Sequence, residues 1–254
     1  MMMKRFVRAL SRRDWTAVFI ELMVVVVGIL VALQFDEWAQ GREQRGIERT
    51  YLMRLKEDLQ IERVRVGQAE GFARDRLAAV ELLDRVASDP ATAEGDPNLI
   101  PWVIETASWR SFPKTNAFVY NELQSTGRMS LIRSVPLRRA LAEHYATIAH
   151  DARVGEERAA QEAYDAATAG LLTMAELTAI ERVAGDPRRV AMARDRALAL
   201  ANALARRPAA LEQLPSLAQH HIFNLRVIGD MRTRIDRLIG MVDDQLGQRQ
   251  AARR

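Results

Sequence analysis

The sequence predicts an all-α protein in which one N-terminal transmembrane helix continues into a membrane-tethered antiparallel helical bundle with a short-helix aromatic insert. Three observations predict it. An apolar run long enough to cross a bilayer starts at Trp15, apolar residues beyond Trp38 recur at spacings of three and four, and no alternating strand pattern of useful length appears. The chain has 254 residues, 48% of them hydrophobic, so it can bury a real core; it has no cysteine, which excludes disulfide scaffolds and thiolate metal sites. Its net charge is only +4, and all but Lys4, Lys56 and Lys114 of its 37 basic residues are Arg, interspersed with 33 acids. That is the pattern of solvated helix faces rather than of a phosphate-binding stripe, so no nucleic-acid partner is expected.

The first element is the membrane segment, Trp15 to Phe35. Thirteen Val, Ile, Leu or Phe residues lie between Val18 and Phe35 and favour insertion by about 4 to 8 kcal/mol, against about 2.5 to 3.5 kcal/mol for a carboxylate at mid-bilayer. Glu21 sits toward one end, where its cost is lower. The exit through Gln34, Phe35 and Asp36 has no small-x-small cleavage site, so the segment reads as an uncleaved signal anchor. Lys4, Arg5, Arg8, Arg12 and Arg13 precede it and Asp36 and Glu37 follow it, which places the N-terminus in the cytoplasm; Trp15 and Trp38 mark the interfaces. Ala17, Glu21, Gly28 and Ala32 project within about 60° of one another, a face suited to pairing with another membrane helix or a second copy.

Leu52, Leu55, Leu59, Val66, Ala69, Ala73, Val80 and Leu83 predict that the membrane helix runs on as a long amphipathic one and stops before Ser88-Asp89-Pro90. Residues 91 to 101 read as a loop. A cluster of aromatics follows, with Thr115 or Asn116 expected to cap a short helix that Gly127 ends, and Ser134 to cap the next with Pro136 in its first turn. That helix is predicted to continue to about Val183, where Gly185-Asp186-Pro187 breaks it and Pro187 opens another toward Pro208. After Pro215 a last helix carries Ile222, Leu225, Ile228, Met231, Ile235, Leu238, Val242 and Leu246 as a heptad seam. The expected division is a basic tail over 1–14, a transmembrane helix over 15–35, a bundle over 36–249 with an insert at about 98–133, and a polar tail over 250–254.

Phosphate loops, nucleophile elbows, His-Glu-x-x-His and calcium loops are all missing from the sequence. His144 and His150, and His220 and His221, do not share a helix face as i, i+4 ligands would. No cofactor, metal or catalytic residue is therefore expected, and the chain reads as a non-enzyme. The candidate ligand or partner patch is Trp109, Arg110, Phe112, Tyr120, Arg128 and Arg133, which combines stacking faces with guanidiniums; the same aromatics also suit the core of the insert.

The run Glu21-Leu22, Val25, Gly28 through Gln34 and Trp38, followed by Tyr51-Leu52, Leu55 and Asp58-Leu59, resembles the opening of a bacterial family of single-pass membrane proteins classed only as a domain of unknown function. A second block, Tyr120, Leu123, Ser125, Gly127, Leu131-Ile132, Leu137, Leu141 and Tyr145, is similar too. The resemblance implies the anchor and a helical exterior domain, and no activity. Together these readings give an inner-membrane protein with a periplasmic bundle that binds, scaffolds or senses through partners, with the bilayer and a protein partner or second copy as its contacts. The alternatives are a structural coiled-coil oligomerisation element, or an envelope enzyme with its site in the aromatic insert.

Overall fold

The computed structural model describes residues 15–110, 112–113, 115–154, 158–183 and 190–251, with side chains throughout except at 15–18, 37, 149–154 and 248–251. These residues are all-α, with no strand among them. The helices are α1 (Trp15–Ser88), α2 (Leu99–Thr106), α3 (Phe118–Ser125), α4 (Val135–Val154), α5 (Ala159–Thr168), α6 (Met174–Arg182), α7 (Arg194–Ala205), α8 (Pro208–Leu211) and α9 (Leu214–Ala251), with short 3₁₀ turns at Pro90–Glu94 and Met129–Leu131.

One unbroken helix carries the membrane-length apolar stretch and the centre of the bundle. The 74 residues of α1 extend over about 110 Å at 1.5 Å per residue. Its apolar window near the N-terminus is long enough to cross a membrane, and none of that window is buried. From Phe19 to Phe35 its large apolar side chains are exposed. Farther along, Leu52, Leu55 and Leu59 have no exposed surface.

Helix α9 returns antiparallel beside α1. Lys56 pairs with Asp243 at 2.6 Å, Arg63 with Asp236 at 2.7 Å and Glu70 with Arg232 at 3.0 Å, so numbers rise on one helix as they fall on the other. These exposed pairs contribute little energy and act as register marks. The seam between the helices follows a heptad rule on both sides. On α1 the seam is made by the buried Leu52, Leu55, Leu59, Glu62, Val66, Ala69, Ala73, Arg76, Val80 and Leu83, and on α9 by the buried Leu214, Leu217, His221, Asn224, Ile228, Met231, Ile235, Leu238 and Val242; Glu48, Asp58, Ala79, Val86 and Val227 are buried beside it. Spacing alternates between three and four along each set, which keeps one stripe facing its partner.

The core has two compartments. Nearer the apolar end of α1, Leu52 to Ala73 pack with α3, α4 and the Ile228 to Val242 stretch of α9. At the far end, Ala79 to Val86 pack with α2, α5, α6, α7, α8 and the start of α9. Fully burying each Leu, Ile or Val contributes about 1.5 to 3 kcal/mol, so both compartments are held chiefly by apolar area.

Several boundaries differ from expectation for identifiable reasons. The stretch 91–101 is not a plain loop: Asp89 Oδ1 accepts from Ala91 N at 3.2 Å, capping the Pro90–Glu94 turn, and Pro101 lies in the first turn of α2, where a missing N–H is tolerated. The helix from Val135 does not run to Val183. Gly170, at φ 75°, turns the chain after α5, and Thr173 with Glu176 forms a capping box that starts α6. Gly185-Asp186-Pro187, and with it the helix start expected at Pro187, lies outside the described residues; residues 190–193 are not helical, and the described helix toward Pro208 is Arg194–Ala205. Gly127, at φ 67°, follows α3 as expected, and Ser134 Oγ accepts from Leu137 N at 3.3 Å to cap α4. Helix α9 runs to Ala251, and the remainder of the polar tail expected over 250–254 lies outside the described residues.

The expected seam on α9 is also displaced at its start. Ile222 is 48% exposed, and the buried stripe passes instead through Leu217, His221 and Asn224. From Ile228 onward the expectation holds, but the seam packs on α1 of the same chain. It is therefore not available as a coiled-coil oligomerisation surface.

Candidate binding site

Polar residues interrupt the α1 stripe at Glu48, Glu62 and Arg76, all buried and fourteen residues apart. Two heptads separate successive members, about 21 Å along the helix. Each is matched by a different element. Glu48 Oε1 accepts from Arg133 N at 2.9 Å, and Arg133 Nε lies 3.5 Å from Oε2, which fixes the entry to α4. Glu62 meets His144 of α4, Nε2 to Oε1 at 3.2 Å, with no exposed surface on either side chain. Arg76 sits among Phe72, Trp102 and Trp109, its guanidinium carbon 5.0 to 5.7 Å from the three ring centroids. Among the described residues it has no ion pair, and burial holds its pKa below the usual arginine value.

The Glu62 layer is widened by neighbours. Asp58 accepts from Asn116 Nδ2 and from Val119 N, both at 2.8 Å. It thereby caps α3 from another helix, a role expected of Thr115 or Asn116; Ala117 stands at the N-cap itself and supplies no side-chain bond. Tyr120 stacks on Tyr145 at 4.5 Å, and His144 meets the Tyr145 ring edge-on at 4.9 Å. Burial, then the charges of Glu62 and Asp58, push the Tyr145 phenol well above its usual range. Outside this core, Tyr51 and Arg54 donate to Glu122 at 2.8 and 2.7 Å, clamping α3 to α1.

At the far end, Arg110 Nε donates to His220 Nε2 at 3.0 Å, and Asn224 Nδ2 lies 3.0 Å from the same nitrogen. An arginine cannot accept a hydrogen bond, so Nε2 is the acceptor and the ring carries its proton on Nδ1. Burial, then the positive charge of Arg110, lowers His220 to about 4, which keeps it neutral. His221 Nε2 donates to Ala107 O at 2.7 Å, tying α9 to the end of α2, and burial lowers its pKa as well. Beside Arg110 and His220 opens a cavity of about 710 Å³ between α5 and the first turns of α9. A second of about 300 Å³, lined by Glu105, Trp109 and Asp165, adjoins it. Ser108, on the wall between, donates to Asp165 Oδ1 at 2.6 Å. Glu105 is held above the usual carboxylate range by burial and by Asp165.

The expected patch is thus not one site. Trp109 stacks on Arg76 and Arg110 bonds His220 at the far end, whereas Arg133 bonds Glu48. Arg76 and Glu48 are 28 residues apart on one helix, about 42 Å. Tyr120 and Phe112 belong to the nearer core, as packing residues, and Arg128 is exposed. The parts that sequence reasoning missed are Arg76, His221, Asn224 and Glu62, whose only signal is their place in the 3-4 spacing. On the membrane-length stretch Glu21, Gly28 and Ala32 are exposed, and a Cβ added at Gly28 meets nothing within 4 Å; the Ala17 side chain lies outside the described residues.

No curated protein and no solved structure matches the chain. A family match covers residues 21–155, from Glu21 in the apolar stretch through α4 and one residue beyond, and both sequence blocks quoted above fall inside it. The chain belongs to DUF6090, a family of unknown function.

Proposed function

We propose that the chain is a single-pass protein of the bacterial inner membrane, N-terminus in the cytoplasm, whose periplasmic bundle is a non-enzymatic binding, scaffolding or sensory module that works through partners. The observation that carries this reading is the continuity of α1, in which a membrane-length stretch with no buried surface passes without a break into the heptad core. A domain built on the anchor helix itself cannot reorient without moving that helix, which suits a tethered module whose state is read inside the bilayer. The basic residues before Trp15 and the acids at Asp36 and Glu37 support the orientation. The exposed face of Glu21, Gly28 and Ala32 supports pairing with another membrane helix, because an intramembrane carboxylate is seldom left without a partner. The buried Asp58, Glu62 and His144 are engaged in bonds that hold helices together, which supports a binding role over catalysis.

Crosslinking in intact cells tests the association. The wild-type chain should give a defined crosslinked species, and Gly28→Leu should reduce its yield several-fold while leaving expression unchanged. Identical yields would remove the pairing role of this face.

A further inference from the structure

We propose that the end of the bundle nearest the apolar stretch docks on the anionic phospholipid headgroups of the bilayer that α1 enters, through a collar formed by Arg42, Arg45, Arg49, Arg128, Arg133 and Arg139. The inference rests on the reading that α1 crosses a membrane, and it gives the bundle a contact of its own with that membrane.

Pairings across the bundle bring the connection between α3 and α4 to this end. Asp58 accepts from Val119 N at the start of α3 and Tyr51 donates to Glu122 farther on, so α3 descends toward the apolar stretch. Arg133 then bonds Glu48 and His144 meets Glu62, so α4 climbs away from it again. Residues 126–139 form the tip between these helices, and they hold four arginines and no acid. Arg128 and Arg139 are exposed, and Arg133 keeps 49% of its side chain exposed while it bonds Glu48. On α1, Arg42 and Arg45 are exposed and Arg49 is half-buried. Among the described residues, Arg42, Arg45, Arg49, Arg128 and Arg139 form no ion pair.

The tether sets the distance. Phe35 closes the apolar stretch, and headgroups extend about 5 to 7 Å beyond a hydrocarbon boundary set there. Arg42 and Arg45 lie about 10 and 15 Å farther along α1 than Phe35, within about a Debye length of that layer. Trp38 stands between them and the apolar stretch, with the Arg42 guanidinium carbon 5.3 Å from its ring centroid, as suits an interfacial aromatic. The tip is level with Glu48, and a tilt of α1 toward α4, within the ordinary range of up to about 40°, lowers it onto the same surface. Asp36, Glu37 and Glu43 on α1 and Asp244 on α9 share this end, so the excess positive charge comes from the acid-free tip. Guanidiniums pair with phosphate oxygens through two parallel N–H bonds, and basic clusters beside a membrane helix are drawn to anionic lipid.

The test uses the full-length purified chain in nanodiscs that carry a nitroxide-headgroup lipid as a contact-range quencher, with a bimane fluorophore on Ser130→Cys, an exposed position of the tip. Discs of phosphatidylcholine alone are compared with discs containing about 30% phosphatidylglycerol; quenching should be at least about twofold greater in the anionic discs. It should fall to the neutral-disc level in about 1 M NaCl, where the Debye length is about 3 Å. The double variant Arg128→Gln, Arg139→Gln should lower it equally; Arg54 still clamps Glu122 there, so the fold of the tip is kept. Equal quenching in the two lipids, or anionic-disc quenching that survives the double variant, would overturn the docking. A fluorophore on Met174→Cys, in the far compartment, should stay unquenched in both discs, and quenching there as strong as at Ser130→Cys would also overturn it. Insertion is scored separately by co-elution with the discs. A chain that inserts and fails these tests removes the docking alone, whereas one that does not insert removes the membrane reading and the docking together. Both disc faces have the same composition, so a bundle on the cytoplasmic side in cells would leave this result standing.

Discussion

At Glu62 a carboxylate occupies a position that the heptad would fill with Leu or Val, and His144 faces it at 3.2 Å with no exposed surface on either side chain. Taking two ionisable groups out of water costs several kcal/mol, and their attraction offsets this only while both are present. Glu62→Leu and His144→Leu should each lower the unfolding free energy by about 3 kcal/mol, and the double replacement by less than the sum, a coupling of about 1 to 3 kcal/mol in urea denaturation. Additive losses would show that the pair is not coupled. His220 makes a second residue-scale prediction. Burial, then Arg110, lowers its folded pKa to about 4, below the usual histidine value of 6.5, so the folded state binds fewer protons between those values. Stability should therefore be full above pH 6.5, fall as pH drops toward 4, and lose part of that slope in His220→Gln. These residues were poorly legible in the sequence because periodicity is read from apolar side chains. A polar residue in the stripe looks like a gap, which is why Ile222 stood in for His221.

Among the elements, the contrast between Ile235 and Ile222 shows what the seam is made of. Both are isoleucines on α9; one has no exposed surface and the other is 48% exposed. Ile235→Ala should cost about 2 to 5 kcal/mol through lost burial and a cavity, and Ile222→Ala under about 0.5 kcal/mol. Similar losses in thermal or denaturant unfolding would contradict the register. Helix ends divide in the same way into local and remote causes. Gly127, Ser134 and Pro208 act on their own turns and were legible. The Thr173-x-x-Glu176 box was equally local, and Arg196 reinforces it with two bonds to Glu176 at 2.8 and 2.9 Å. The cap on α3 was not legible, since Asp58 lies 61 residues from the Val119 N–H it accepts. The expected patch failed for a related reason: neighbours in sequence from Trp109 to Arg133 are distributed along a helix that no local pattern measures.

For the molecule as a whole, the all-α class, the antiparallel bundle and the stripes of the first and last long helices were legible, because long apolar stripes survive a few polar interruptions; that these two helices pair with each other was not. The arrangement of α5 to α8 at the far end was not, since short Ala-rich helices carry little periodicity. The consequence of the architecture is mechanical. Between Phe35 and Glu48 the helix stands about 20 Å clear before its first buried polar residue, so a rotation or tilt at the apolar end passes directly to the stripe that α4 and α9 grip. We propose that this one helix crosses the membrane and presents the bundle on the far side. The chain has no cysteine, so single introduced thiols report without background. The decisive measurement labels Ser11→Cys and Ala166→Cys variants with a membrane-impermeant maleimide on cells whose outer membrane has been permeabilised. Ala166→Cys should be labelled before lysis and Ser11→Cys only after it; the reverse order, or labelling of both before lysis, would contradict a helix that crosses the membrane with the bundle outside.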